Sequence, residues 1–198
     1  MGKGASWYAA RMTNMRTFLH ASLLSLTLLT THQHAALADA GDGAGESAAD
    51  APLYSGSYKV AATEAEKAAR QKSVDATVSE FFALTRPIAR GRIEKKTHIS
   101  DWVTIKQNTS NVVIQFEGRG VETCPFKGSS KGKDPEGNEA EFAAEWQGSK
   151  LVQTVKTEEG KRTNTFALQA DGSLKLSVEL RSTKFKTPVH YTVSYAKK

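Results

Sequence analysis

The chain has 198 residues, of which 39% are hydrophobic and 24% charged, and its formal net charge at pH 7 is +6. Cys124 is the single cysteine, which excludes an intrachain disulfide and leaves packing and hydrogen bonding to stabilise the fold. The apolar stretch at 18–29 is too short for a membrane-spanning helix, which needs about 20 residues.

Residues 1–38 have the features of a secretory signal peptide. Three basic residues precede the apolar stretch at 18–29, and small residues follow it at positions that fit a cleavage site. We expect cleavage after Ala38, with Ala40 as the alternative, and a mature protein that is secreted or periplasmic.

Residues 39–57 are acidic and rich in glycine and alanine, with too little apolar surface to offset the entropy of ordering them. We therefore predict a disordered acidic spacer, followed by a single domain at 58–198. Without the signal peptide and the spacer, that domain carries a formal net charge of about +7, so it is distinctly basic.

A helix is predicted at the start of the domain. Thr63 and Glu66 fit a capping box, and apolar residues at spacings of three and four continue to Phe82. Pro87 disfavours helical backbone at Arg86, so the helix should end there, and a short second helix can begin at the proline. The sequence leaves two positions open for the first helix: a cap over one barrel mouth or a place along the outer wall.

The segment 86–96 is basic, and Arg86, Arg90 and Arg92 are candidates to meet an anionic group at the barrel mouth. Contact with an anionic membrane surface is an alternative, and a solvated basic helix end is the simplest interpretation. Nucleic acid is disfavoured as a partner, because the export signal removes the usual encounter and no aromatic residues interleave with the basic ones.

From residue 100 onward, short alternating apolar and polar runs are separated by Gly, Asp, Asn and Pro, which is typical of consecutive antiparallel strands. The run containing Leu174, Leu176 and Val178 is the clearest, with polar residues between them. Eight strands are predicted, at 100–107, 111–117, 121–126, 138–147, 150–157, 161–169, 173–182 and 188–196.

The connections between these strands are too short for crossover helices, so parallel pairing is disfavoured. We predict a mainly β fold, an eight-stranded antiparallel up-and-down barrel preceded by an N-terminal α-helix, with two packed sheets as the alternative. The longest connection, at 127–137, is polar and is the best candidate for a mobile lid or rim. Outer-membrane strands need about nine to eleven residues, and several of these runs are shorter, so a soluble barrel is expected.

Aromatic side chains on the apolar faces of the strands should converge inside the barrel, together with two polar residues in register with them. An eight-stranded barrel is either filled by its own side chains or holds one small ligand, and the sequence leaves both possibilities open. The lumen candidates are Phe116, Phe142, Trp146, Gln153, Asn164, Phe166, Tyr191 and Tyr195.

No catalytic, metal or cofactor signature accompanies these strands. Cys124 has no nucleophile motif around it, and the two histidines of the mature chain, His98 and His190, have no partner at metal-ligand spacing. We therefore expect no enzyme activity, no metal and no cofactor.

Eight antiparallel strands that end in the aromatic-rich run PVHYTVSYAKK, behind a secretion signal, resemble the calycin superfamily of lipocalin-like barrels. That superfamily includes small exported bacterial barrels of unassigned function. The resemblance covers 100–198 and is one of topology, since the lipocalin Gly-x-Trp signature is absent: Ser100 and Asp101 precede Trp102. The resemblance implies a hydrophobic ligand in the barrel. It assigns no binding residue in this chain.

Two functions follow as expectations. The first is an extracytoplasmic, non-catalytic, lipocalin-like binding protein for a small hydrophobic or amphipathic ligand. The alternative is a protein-interaction or inhibitor module that uses a basic barrel rim and the loop at 127–137.

Overall fold

The computed structural model describes residues 53–198. The predicted signal peptide at 1–38 and the part of the predicted spacer at 39–52 lie outside the described residues.

The described chain forms ten strands and two α-helices, and the helices lie between the first strand and the second. In chain order the elements are β1 (Gly56–Val60), α1 (Glu64–Ser79), α2 (Arg86–Lys96), β2 (Trp102–Gln107), β3 (Asn111–Phe116), β4 (Val121–Pro125), β5 (Ser130–Lys133), β6 (Glu139–Gln147), β7 (Lys150–Thr157), β8 (Gly160–Leu168), β9 (Leu174–Ser182) and β10 (Phe185–Lys197).

The ten strands form one antiparallel sheet in the order β4-β3-β2-β1-β10-β9-β8-β7-β6-β5. The first strand pairs with the last in the middle of this sheet, with Val60 opposite Tyr195. Its two edges, β4 and β5, approach each other where the Ser130 hydroxyl donates to the carbonyl oxygen of Thr123. The result is a nearly closed barrel, and the two-sheet alternative is wrong.

The prediction of eight strands is wrong, because two of the ten carry almost no apolar signal. In β1 only Tyr58 is buried, and the strand begins inside the predicted spacer. In β5 the sequence is SKGK, which lies in the predicted polar loop. There the Phe142 ring packs closely on Gly132, 3.0 Å from the position that a side-chain Cβ would take. Lysines at the edge also discourage pairing with another sheet.

The inward faces predicted from alternation are confirmed for the longest strands. In β10, the side chains of Val189, Tyr191, Val193 and Tyr195 are all buried. In β9, the corresponding positions from Leu174 to Val178 are buried as well. A period of two is therefore sufficient to place these residues in the core.

Tyr54 closes one end of the barrel, although it falls within the predicted spacer. Its side chain is fully buried, and its hydroxyl donates to the carbonyl oxygens of Ser149 and Phe166 at 2.8 and 3.0 Å and accepts from the backbone N–H of Leu168 at 3.1 Å. The ring lies 5.6 Å from that of Trp146. The domain therefore begins at least four residues before the predicted boundary at 58.

The capping box predicted for the first helix is confirmed. The Thr63 hydroxyl accepts from the N–H of Glu66 at 3.2 Å, and the Glu66 carboxylate accepts from the N–H of Thr63 at 2.9 Å. The predicted helix end at Arg86 is wrong: α1 ends at Ser79. Neither helix of the described chain has the length and apolar character needed to cross a membrane.

The end of α1 is set by contacts that lie far away in sequence. The Glu80 carboxylate accepts from the backbone N–H groups of Lys186 and Thr187, at 2.7 and 2.9 Å. These two donors lie where the pairing of β10 with β9 is irregular, so they are available to the helix. A tertiary contact therefore stops the helix before the proline does.

The second helix is held in place by α1. The guanidinium of Arg70 donates to the carbonyl oxygens of Thr97 and Glu94, at 2.7 and 3.2 Å, and so satisfies the carbonyl end of α2. From inside the barrel, the hydroxyl of Tyr191 also donates to Thr97 O, at 3.0 Å. These contacts fix α2 across the open end of the barrel.

Candidate ligand-binding cavity

A cavity of about 400 Å³ lies between α2 and the ends of strands β7, β8 and β9. The helix contributes its apolar face, on which Ala89 and Ile93 are buried. Val155 and Leu180 line it from the sheet. The apolar lining side chains are Phe81, Ile88, Ala89, Ile93, Pro135, Val155, Leu180 and Phe185.

Charged residues of both signs surround the cavity mouth. Lys96, at the end of α2, pairs with Glu136 at 3.3 Å and with Glu159 at 3.1 Å. Hydrogen bonds from Lys184 and Lys96 lower the pKa of Glu159 to about 2, so its carboxylate is charged at neutral pH. These ion pairs link the end of α2 to the β5–β6 and β7–β8 turns across the mouth.

The floor of the cavity is polar, because a charged network lies on the inner faces of β4, β7 and β8. Gln153 donates to Glu122 at 2.6 Å and accepts from Asn164 at 2.7 Å. Arg162 donates to Glu122 at 3.1 Å through Nη2. All four residues are largely buried, so each hydrogen bond lies in surroundings of low dielectric constant.

A second arginine, Arg119, lies beside this network, in the turn between β3 and β4. Its guanidinium carbon lies 5.3 Å from the centre of the Phe116 ring, and that of Arg162 lies 6.0 Å from the same centre. Burial and the neighbouring charge of Arg162 lower the pKa of Arg119 to about 10. At neutral pH the Arg119 guanidinium is therefore still charged.

Beneath this floor the barrel is filled by its own side chains. A second pocket in the described part of the chain, inside the barrel, measures about 20 Å³, room for about one water molecule. Elsewhere in the barrel interior, large side chains such as Phe166, Leu151 and Ile105 are completely buried. The larger of these two pockets therefore lies under α2 and not at the centre of the barrel.

Two comparisons with known proteins returned nothing: no protein-family model matches the chain, and no curated protein does. Solved structures with a similar shape exist. One is described as "REP1-NXSQ fatty acid transporter", with 9% identity and a TM-score of 0.45, covering 73% of this chain and 95% of that one.

A second solved structure is a "secretary abundant heat soluble (SAHS) protein" from Ramazzottius varieornatus, with 9% identity and a TM-score of 0.47. It covers 73% of this chain and 94% of that one. Both TM-scores lie below 0.5, so nothing about the ligand of this chain is taken from either likeness.

The lumen candidates predicted from the sequence all lie in the described chain, and none of them lines the larger cavity. Four surround the 20 Å³ pocket: Phe116, Asn164, Tyr191 and Tyr195. Three are buried in the core or the polar network: Phe142, Gln153 and Phe166. Trp146 is half-buried and stacks on Phe126 at 5.7 Å.

The three rim arginines predicted from the sequence have different environments. Arg92 lines the cavity. Arg86 donates to the carbonyl oxygens of Phe81 and Ser79, and Arg90 pairs with Asp75 at 2.6 Å. The structure therefore places one of the three at the cavity.

Three charged residues of the site were missed in the sequence: Arg119, Glu122 and Arg162. A signal was present for the last of them, since Arg162 alternates in register with Asn164 and Phe166 and so belongs to the inward face of β8. A charge on an inward face is unusual unless it is paired.

Cys124 lies next to this network, and its environment does not favour a reactive thiol. Gln153 donates to its sulfur at 3.3 Å, and burial raises the pKa of the thiol to about 11. The thiol is therefore protonated at neutral pH. Within residues 53–198, no group of three or more His, Cys, Asp or Glu side chains is placed to hold a metal ion.

Proposed function

We propose that the protein is an extracytoplasmic, non-catalytic binding protein that holds a small hydrophobic or amphipathic ligand in the cavity under α2. The observation that carries this proposal is the cavity itself. Its volume of about 400 Å³ falls in the usual range for small-molecule sites, and its apolar walls lie between charged groups at the mouth and at the floor. The signal-peptide features of 1–38 support the extracytoplasmic location.

The walls of the cavity favour an apolar chain or ring over a polar metabolite. Ile93, Val155 and Leu180 offer no hydrogen-bonding group from their side chains, so a polar molecule would lose water contacts there without replacement. Burial of an apolar group against them is favourable in proportion to the area removed from water. The charged mouth and floor leave room for a polar group at either end of such a ligand.

The proposal predicts that Val155→Trp abolishes binding. Val155 is buried on β7 and lines the cavity, so the larger side chain extends into the space that a ligand would occupy. The measurement is a fluorescence titration with a dansyl-labelled fatty acid. Wild-type protein should bind the probe saturably, and the variant should not.

Val121→Trp is the matched control, because Val121 is exposed on β4 and does not line the cavity. That variant should bind the probe like the wild type. Unchanged saturable binding by Val155→Trp would place the ligand elsewhere. Absence of saturable binding by the wild type, together with no co-purifying small molecule in mass spectrometry, would refute the proposal.

A protein-interaction module is the second candidate, and one observation favours it. Phe82 and Leu84, in the turn between the helices, and Ile88, at the start of α2, are 87%, 93% and 64% exposed. Such apolar side chains beside basic ones are typical of interaction surfaces. An interaction through this turn would not depend on the cavity, so Val155→Trp would leave it intact.

A further inference from the structure

Two guanidinium groups and only one carboxylate meet at the cavity floor. Arg119 and Arg162 both line the 400 Å³ cavity and also the small pocket beneath it. Glu122 is the acidic residue of this network, and it is bound by Arg162 and Gln153. The cluster therefore carries one positive charge in excess.

The donors of this cluster are not all used. Arg162 Nε is buried and has no hydrogen-bond partner, although its Nη2 is bound to Glu122. Arg119 makes no ion pair with any residue in 53–198. A buried donor without a partner is costly, and native proteins rarely retain one without a reason. The Nε–H of Arg162 is sealed from the cavity, so the guanidinium of Arg119 and the excess charge are the features that an anion in the cavity would satisfy.

We propose that the cavity floor is an anion subsite, in which the carboxylate of an amphipathic ligand binds the guanidinium of Arg119, beside that of Arg162. The apolar part of the ligand then runs past Ile93, Val155 and Leu180 toward the mouth. This inference rests on the proposed function and narrows its ligand to an anionic amphiphile that enters head first. Planar guanidinium forks match the geometry of a carboxylate.

The location differs from the rim expected from the sequence. Arg86 is engaged with backbone carbonyls of the turn between the helices, and Arg90 pairs with Asp75 and Glu94. Arg92 is exposed to solvent, where ionic contacts contribute little. The two floor arginines are more shielded from water, and a charge-assisted hydrogen bond there is correspondingly stronger.

The test compares two probes that differ only at the head group: a dansyl-labelled fatty acid, whose carboxylate is charged, and its neutral methyl ester. Wild-type protein should bind the acid at least about tenfold more tightly than the ester, as expected for the loss of one hydrogen bond between charged groups. Arg119→Gln should reduce this preference to near unity while ester binding changes little. Arg119 is chosen because its removal leaves Glu122 bound to Arg162.

Arg181→Gln and Arg92→Gln are the controls, since each removes one positive charge from the lining of the same cavity at an exposed position. Both should keep the preference for the acid. Acetate, which carries the carboxylate without the chain, should not displace the acid at equal concentration.

The possible results separate this inference from the proposed function. Equal binding of acid and ester by the wild type would overturn the anion subsite. It would not contradict the proposed function as a binding protein. Loss of the preference in Arg92→Gln instead of Arg119→Gln would place the head group at the rim and also overturn it. If neither probe binds saturably, the proposed function fails, and the subsite fails with it. The comparison of acid and ester binding by the wild-type protein tests the subsite even if a variant does not fold.

Discussion

Replacing Arg162 by glutamine is expected to lower the free energy of unfolding by about 3–5 kcal/mol, because Glu122 would then lie buried without its cation. The side chains of Arg162 and Glu122 are only 12% and 5% exposed, so water cannot take the place of the lost partner. Gln153 would still donate to the carboxylate, but a neutral donor does not compensate a buried charge. Urea denaturation of both proteins measures the difference.

The double variant Glu122→Gln/Arg162→Gln should recover much of that loss, since it removes both charges together. Arg181→Gln is the matched control: its partner Glu179 is at the surface, and the expected cost is about 1 kcal/mol or less. A single variant as stable as this control, or a double variant less stable than Arg162→Gln, would contradict the description of the floor as a buried ion pair.

Tyr54→Ala is expected to lower the free energy of unfolding by about 3–5 kcal/mol, the usual cost of removing a large buried aromatic side chain. Tyr54 is completely buried, packs on Trp146 and has its hydroxyl between β8 and the turn after β6. Tyr54→Phe should cost about 1–3 kcal/mol, since it keeps the ring and leaves backbone groups without their partner. Thermal or urea denaturation of the wild type and the two variants measures the order of their stabilities.

The adjacent residue supplies the control for this prediction. Leu53 is 68% exposed, so Leu53→Ala should change the stability by no more than about 0.5 kcal/mol. If Tyr54→Ala changed the stability as little as Leu53→Ala, residue 54 would belong to the spacer, as the composition of residues 39–57 predicts. A large loss for Tyr54 and none for Leu53 would fix the start of the domain between them.

The sequence predicts those parts of the fold in which apolar and polar residues alternate over many positions of a strand. In β9 and β10, four or more alternating positions identify the buried face, because side chains on a strand point to opposite sides in turn. In β1 and β5, a single buried residue or none leaves nothing to count. These strands form because their neighbours supply open backbone hydrogen-bonding groups, and this is a property of the assembled sheet.

The site was harder to predict than the fold, for a related reason. Aromatic residues on inward faces do lie inside the barrel, but they fill it, and the sequence does not specify how large the space between ten curled strands is. The cavity exists because α2 crosses the mouth at a distance set by Arg70 and Tyr191, contacts that join distant parts of the chain. Glu122 and Arg162 likewise lie 40 residues apart and meet only in the closed sheet.

The central claim is that an anionic amphiphile binds under α2 with its charged group on the cavity floor. The most direct test is an NMR titration of isotope-labelled protein with the unlabelled fatty acid, following each backbone amide. We predict saturable shifts that cluster on α2, around Val155 and Leu180, and at Arg119. No saturable shifts, or shifts confined to the exposed turn at Phe82 and Leu84, would contradict the claim.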